Sequence, residues 1–432
     1  MSKQNRRQFL RRTSGAVSVA AGLSALNFAR AAAGPGDRVR IAVMGVRGRG
    51  KALASGFAAI KNAHVVAVCD ADENVLAPVV KIVEEKQGNS PPRIELDVRK
   101  LIDDKSIDAL AIAAPNHWHA LATVWACQAG KDVYVEKPVS HNILEGRKMV
   151  EAARKYDRVV QVGTQRRSSP HWAAAHEYVQ SGNLGKVSLV RAWVIQMREN
   201  IGKAGGPQPI PEGVNYDLWL GPAPMKSLTR KRLHYDWHWF WDYGGGELAN
   251  NGIHMLDIAR RGVGVDYPRA VASGGGKFYF DDDQETPDTQ VVTYEYPNLS
   301  LVWEHRTWSK FGFEGRGSGV AYYGDKGTLV VDDKGWQVTA PDGNVVETEP
   351  SSQMEMAHLQ NFIDCVHDRR RPNADIEFGH ISTSLCHLGN ISQRLGRKLA
   401  WDGEAEKFPN DNEANQMLRR EYRKPFVIPE SV

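Results

Sequence analysis

Three glycines, an arginine and an aspartate carry the first chemistry of this 432-residue chain. In RIAVMGVRGRGKAL, Arg40 to Leu53, an apolar run leads into Gly45, Gly48 and Gly50. Gly45 and Gly50 hold the outer places of the G-x-G-x-x-G turn that wraps a dinucleotide pyrophosphate, and Arg47 holds the middle one. Gly45 permits the tight turn, and Gly50 permits close strand–helix packing. The middle residue is where the backbone approaches the phosphates. An arginine works there if its side chain turns outward, so that its guanidinium reaches a phosphate and Gly48 takes the strain. Asp70 ends the next apolar run, where a ribose-binding acid belongs, roughly 20 to 25 residues on. A carboxylate there repels a 2′-phosphate, so the pattern favours NAD over NADP.

Such residues work only if a strand precedes them and a helix follows. The chain supplies that alternation. RVRIAVMG precedes a helical pattern at 49–61, HVVAVCD one at 73–86, and a weaker RIEL one at 97–104. DALAIAAP leads into 117–129 and DVYVEKP into 142–156, and RVVQVGTQ closes near Gln165. Short apolar runs separated by helices predict a doubly wound parallel sheet, an N-terminal Rossmann domain over 34–166. Beyond it, 187–197, 269–280, 289–296, 299–307, 319–323 and 327–332 read as strands of a C-terminal α/β domain, 167–432. Several alternate apolar and polar residues as one-sided antiparallel strands do.

The first 33 residues read differently. NRRQFLRR precedes a mild apolar segment and then ARAAA, the order of a secretory signal. Arg6-Arg7 followed by Phe9-Leu10 resembles the twin-arginine type, which predicts export to the periplasm by that machinery, with cleavage after Ala31 or Ala33. About 17 residues of mostly Ala, Gly, Ser and Val are weak for a permanent span, so the mature form is expected to lack one. Residues 1–31 carry six basic residues and no acid, so the formal charge of +4 becomes 4 − 6 = −2 after cleavage. A nucleic-acid partner needs a basic body, and none is expected here. Cys69 and Cys127 fall in apolar runs and suit buried free thiols better than a disulfide framework.

Two further segments identify relatives. APNHWHALATVWACQAGKDVYVEKP (Ala114 to Pro138) puts Pro115-Asn116 after the fourth strand and Glu136-Lys137-Pro138 after the fifth. GGGELANNGIHMLDIAR (Gly244 to Arg260) contains Gly252, His254 and Asp257. With the glycine turn and Asp70, these resemble the Gfo/Idh/MocA family of glucose–fructose oxidoreductase and inositol dehydrogenase, over about residues 38–400. HLQNFIDCVHDRRRPNADIEFGH and LCHLGNISQRLGRKLAWD look like the C-terminal portion of its exported members. The resemblance implies a C-terminal domain whose open, mostly antiparallel sheet covers the cleft and often makes a homo-oligomer interface. It also implies oxidation of a sugar or polyol carbinol, with hydride moving to the nicotinamide.

On that resemblance Lys137 matches the catalytic lysine of the Glu-Lys-Pro motif, just past a parallel strand end, where α/β sheets bind ligands. A surface lysine is the plainer reading. His254 matches the catalytic histidine, with a pKa range suited to accepting a proton; a satisfied helix-face histidine is its alternative. The family commonly has an acid four residues earlier, and this chain has Asn250. Asn250 and His254 share a helix face at i, i+4 spacing, but asparagine cannot take a proton, so the relay is thinner. Asn116 and His119 are expected to face the nicotinamide side with Pro115, Glu136 and Gln165, unless they only cap a helix.

Substrate-side candidates are Arg166 at the cleft mouth, Asp257, and the aromatic stretch HYDWHWFWDYGGG with Trp237, His238, Trp241 and Asp242. Interleaved aromatics and carboxylates suit sugar faces and hydroxyls, and also suit a core strand. HWH and WHW lack partners at metal-ligand spacing, so no catalytic metal is expected. An exported enzyme meets no supply of NAD and must carry it tightly bound, held by a lid such as 200–243. Sustained turnover then needs a closed redox loop. Three readings follow: a redox-neutral sugar oxidoreductase, an NAD-dependent glycosidase working by oxidation, elimination, hydration and reduction, and a carbohydrate-binding protein without catalysis.

Overall fold

The structure is a computed structural model that describes residues 38–432. The signal segment expected at 1–33 lies outside the described residues. Strands β1 (Val39–Met44), β2 (Ala63–Cys69), β3 (Arg93–Glu95), β4 (Ala109–Ile112), β5 (Asp132–Val135) and β6 (Val160–Val162) form a six-stranded sheet in the order 3-2-1-4-5-6. Every pair is parallel, as the alternation of apolar runs and helices predicts. β4 and β5 are buried along their whole length, the signature of strands covered on both faces. The order reverses between β1 and β4, so the crevice for a ligand opens at their carboxyl ends.

Five helices cover this sheet: α1 (Gly48–Ala58), α2 (Leu76–Lys86), α3 (Val98–Asp103), α4 (Asn116–Gln128) and α5 (Ile143–Lys155). The helix expected over 73–86 is split. A 3-10 turn, Glu73–Val75, comes first, with Asp72 accepting the Asn74 N–H. The α-helix proper starts at Leu76 and keeps Pro78 in its first turn, where a missing N–H costs nothing.

After α6 (Pro170–Gln180) the chain enters a nine-stranded sheet. Its strands are β7 (Val187–Ile195), β8 (Ala270–Gly276), β9 (Thr289–Glu295), β10 (Ser300–Arg306), β11 (Ser318–Gly324), β12 (Gly327–Asp332), β13 (Gly335–Thr339), β14 (Val345–Pro350) and β15 (Leu399–Ala400). β7 and β10 pair in parallel, and the other pairs are antiparallel. β13 to β15 lie beyond the strands expected from the sequence. β14 is an edge strand, mostly exposed and bearing Glu347, Glu349 and Pro350, which blunt an open edge and hide the strand pattern. One core joins the covered face of this sheet to α6, α8 (Ile253–Gly262) and α10 (Ile376–Leu395).

Two later segments return to the first sheet. Helix α9 (Glu355–Asp368) packs Leu359, Phe362 and Ile363 into the core of α1 and β5, with Phe362 edge-on to Phe57 and Tyr134. Phe426, Ile428 and Val432 join the core on the opposite face, and the Phe426 ring meets Trp118 at 5.4 Å. Between β7 and α8 the chain leaves the second sheet as a strap, residues 199–243, which includes α7 (Tyr216–Leu220) and crosses back onto the first domain. Its own small core holds Trp219, Trp239, Phe240 and Tyr243, and the buried Arg230 guanidinium lies over Trp219 and Tyr243.

Candidate active site

The glycine turn has the shape its sequence requires. Gly45 takes φ +79°, and a Cβ there would lie 2.4 Å from the Ala114 nitrogen; at Gly50 it would lie 1.7 Å from the Gly45 oxygen. Neither position tolerates a side chain. Arg47 adopts extended backbone at the head of α1 with its side chain exposed, and Gly48 takes the positive φ of +36°. The arginine in the middle place is therefore accommodated by its neighbour. No acid stands in the first turn of α1, so the positive end of that helix faces a cavity of about 340 Å³ lined by Gly45, Arg47, Gly48, Arg49, Asp70 and Pro115 among others.

Asp70 accepts the N–H groups of Val46 (2.8 Å) and Asp72 (3.1 Å). Burial raises its pKa against the pull of those two bonds. Lone pairs remain on both oxygens for ribose hydroxyls. The strap roofs this end. Glu73 N–H donates to Gly213 O, Asn215 N–H to Ala71 O, Trp118 Nε1 to Leu218 O, and His234 Nε2 lies 2.8 Å from Asp72. Leu218, Trp219, Tyr235, Trp237 and His238 complete the wall facing the glycine turn. A turn closed to a Cβ at Gly45 and Gly50, a helix start without acids and a carboxylate at the strand end together fit a dinucleotide.

A second cavity, about 250 Å³, continues from the first, and Arg49, Ala113, Ala114, Trp237 and His238 line both. Lys137, Asn250 and His254 converge here with Asn116, Glu136 and Gln165. The Lys137 ammonium donates to the backbone oxygen of Asn250 (2.8 Å) and to its side-chain oxygen (3.1 Å). Burial lowers the Lys137 pKa, while Glu136 and Glu247 pull it back up. His254 is held well below the usual histidine range by burial first, then by Arg166 and Lys137. Its Nδ1 has no hydrogen-bond partner among the described residues. The imidazole is thus neutral and beside a cation, the condition for accepting a proton. Asn250 lies in a π-helical turn, Leu248–Gly252, that runs directly into α8. Such turns widen a helix and are frequent at functional sites.

Behind the lysine, Glu136 accepts Arg49 Nε at 2.6 Å and the Lys137 N–H at 3.2 Å, and a Cβ on Gly163 would strike its carboxylate. Arg49 also pairs with Glu355 of α9 (2.8 Å) and meets the Gln165 amide oxygen. The loop carrying Lys137 is thereby tied to the glycine turn.

Residues 39–164 match the family model described as Oxidoreductase family, NAD-binding Rossmann fold. Residues 192–428, more than half of the chain, match its companion, Oxidoreductase family, C-terminal alpha/beta domain. The chain belongs to the Gfo/Idh/MocA oxidoreductase family. It is 24% identical over 381 residues to the D-glucoside 3-dehydrogenase of Escherichia coli (strain K12), covering 84% of this chain and 97% of that protein. The uncharacterized oxidoreductase YrbE of Bacillus subtilis (strain 168) is 26% identical over 242 residues, 55% of this chain and only 59% of that protein's length. The fold is similar to that of the aldose-aldose oxidoreductase from Caulobacter crescentus complexed with glycerol, with TM-score 0.65, 19% identity, and coverage of 84% of this chain and 99% of that one.

Within this Gfo/Idh/MocA chain, not every candidate reaches the cleft. Asp257 is fully buried in a bidentate pair with Arg167 (2.7 and 2.8 Å) and accepts the Ser382 hydroxyl, so it anchors α8 in the core. Asp242 pairs with Lys226, and the Trp241 ring lies under Arg394, neither on the wall of the two cavities. Arg166 is held by Asp333 and acts on His254 through its charge. His119 borders the smaller cavity, but its two ring nitrogens are taken up by the Pro138 and Ala114 oxygens, both at 2.7 Å, so it braces two loops. The aromatic stretch divides: Trp239, Phe240 and Tyr243 are core, while Trp237 and His238 face the cavities. Arg49, Trp219, His234 and Glu247 were not singled out by the sequence reading. Glu247 is completely buried and accepts Gln196, Arg198 and Asn251. Among the described residues no group of three His, Cys, Asp or Glu side chains is arranged to hold a metal, and no helix is long and apolar enough to cross a membrane.

Proposed function

We propose that this protein oxidises a sugar or polyol carbinol with a tightly retained NAD, and that its turnover is redox-neutral. The observation that carries the reading is the convergence of Lys137, Asn250 and His254 on a cavity that shares a wall with the dinucleotide cleft. The bound nucleotide supplies the hydride acceptor. His254 takes the hydroxyl proton, and the Lys137 ammonium stabilises the charge that develops on the oxygen. Asn250 holds the lysine and bonds a neighbouring hydroxyl. Likeness to a D-glucoside 3-dehydrogenase supports a ring carbinol of a sugar as the substrate class.

Retention is supported by the strap over the ribose end, and preference for NAD over NADP by Asp70. Export through the twin-arginine machinery to the periplasm rests on Arg6-Arg7 and the segment after it. A protein exported with its cofactor meets no fresh supply, so one substrate must be oxidised and another, or the same one, reduced. The open face of the nine-stranded sheet is the surface we assign to a homo-oligomer. The test is to dialyse the purified protein exhaustively, quantify nucleotide released by denaturation, and assay sugar pairs without added NAD. Near-stoichiometric bound nucleotide with many turnovers is expected. Loss of nucleotide, with activity returning only in proportion to added NAD, would overturn the closed loop.

A further inference from the structure

His238 sits where the two cavities meet, on the strap and opposite the glycine turn. Its ring is fixed from two sides. It stacks on Trp237 with centroids 3.6 Å apart and planes within 19°, and its Nδ1 lies 2.5 Å from the Tyr235 oxygen. A carbonyl can only accept, so Nδ1 carries the proton and Nε2 keeps a bare lone pair. That carbonyl is aimed at unusual cost. Tyr235 stands at φ 72°, ψ −52°, and the Asp236 N–H closes back on the His234 oxygen at 3.0 Å, a strained γ-turn for a side chain of this size. Strain of this kind persists where surrounding structure imposes it, commonly at functional sites. Arg198 bonds the Tyr235 hydroxyl and the buried Glu247, which locks the turn from outside. Burial above all, helped by Lys137 and Arg198, lowers the His238 pKa against the opposing pull of the Tyr235 carbonyl.

We infer that His238 is a second proton acceptor, distinct from His254, which removes the C–H proton next to the carbon that has been oxidised. The inference rests on the carbinol-oxidation reading of the same site. A simple dehydrogenase needs one base for one hydroxyl proton. Three imidazoles border the smaller cavity; His119 has both ring nitrogens engaged, which leaves His254 on α8 and His238 on the strap, both under the field of Lys137. Once the carbinol has become a ketone, the neighbouring C–H is acidified. Its proton passes to His238 Nε2, and the electron pair delocalises onto the carbonyl oxygen beside the lysine ammonium. Return of a proton from solvent restores the ketone, so the step consumes no oxidant or reductant. The substrate class is therefore a sugar whose ketone form is processed at the adjacent carbon, by exchange, inversion or loss of a substituent.

The experiment uses the nucleotide-loaded protein and two probes, methyl β-D-glucopyranoside and the corresponding 3-ketoglucoside. In D₂O the wild type should place deuterium beside the carbonyl of the ketone probe, read by NMR and mass spectrometry. His238→Asn keeps a donor for the Tyr235 carbonyl and removes the base. It should slow that exchange by about 100-fold or more, within the range for loss of a general base. Exchange is compared at equal bound nucleotide, quantified by denaturing each protein, and single-turnover reduction of the cofactor by the glucoside is measured alongside. ¹⁵N-histidine spectra of the loaded wild type should report a protonated Nδ1 and bare Nε2 for His238 between pH 5 and 8. No deuterium from the ketone with wild type, or equal exchange in His238→Asn, overturns the assignment. Absence of cofactor reduction by the glucoside, with exchange from the ketone intact, would instead count against the oxidation reading alone.

Discussion

The Lys137 ammonium reaches across the domain boundary to Asn250, bonding its main-chain oxygen at 2.8 Å and its side-chain oxygen at 3.1 Å. Two of three ammonium protons are thereby spent on holding the lysine, and the third is left for the substrate oxygen. Lys137→Met should lower single-turnover hydride transfer by about 10²–10³, the usual cost of one electrostatic stabiliser. Bound nucleotide, measured after dialysis, should stay near the wild-type level.

Two titrating groups of the cleft, His254 and Lys137, set a pH profile for carbinol oxidation. His254 has its pKa depressed, so it stays unprotonated below the ordinary value near 6.5. Lys137 is depressed from 10.5, so its charge is lost earlier on the alkaline side. The bell in kcat/KM should have its acid limb below pH 6.5 and its alkaline limb below pH 10.5. Asn250→Asp adds a carboxylate at the lysine and should move the alkaline limb up. An acid limb at or above 6.5 would remove His254 from the role of base.

Asp70→Ala should weaken NAD more than NADP, because only the unphosphorylated ribose gains from the carboxylate. Titration of nucleotide-stripped protein with each cofactor, followed by tryptophan fluorescence, measures the ratio. Equal losses would identify a different acid as the ribose partner.

Arg423 clamps the strap from the C-terminal segment, donating to Asp217 Oδ1 (2.6 Å), Asp217 O (2.9 Å) and Gly221 O (3.1 Å). Arg423→Ala should accelerate nucleotide release by about tenfold, the equivalent of ~1.4 kcal/mol. Dilution into excess labelled nucleotide gives the rate directly. An unchanged rate would show that the strap does not govern retention.

The parts of the site that the residues alone make legible are those attached to strand ends, whereas Asn250 and His254, on a π-helical turn and α8, are legible through the family motif. Gly45, Asp70 and Lys137 follow β1, β2 and β5, and a parallel sheet brings those ends to one crevice whatever else the chain does. Asp257 lies three residues beyond His254 on α8, yet its side chain enters the core. Only the position of Arg167, distant in sequence, decides that. Arg49 was equally opaque, since its partners Glu136 and Glu355 come from the loop after β5 and from α9. The strap's division into core and cavity residues follows no period, because its regular structure is limited to α7 and one short 3-10 turn, Asp236–Trp239. β14 stayed hidden because an exposed edge strand needs charge more than apolar alternation.

Phe426 and Ile428 belong to the core beneath α4, and Leu359 and Phe362 to the core beneath α1. During synthesis the six parallel strands therefore leave the ribosome well before the residues that seal both faces of their sheet. The nucleotide-binding half must wait, with apolar surface uncovered, until the entire second domain and the segment beyond it have emerged. The two domains are separate in architecture but not in folding order.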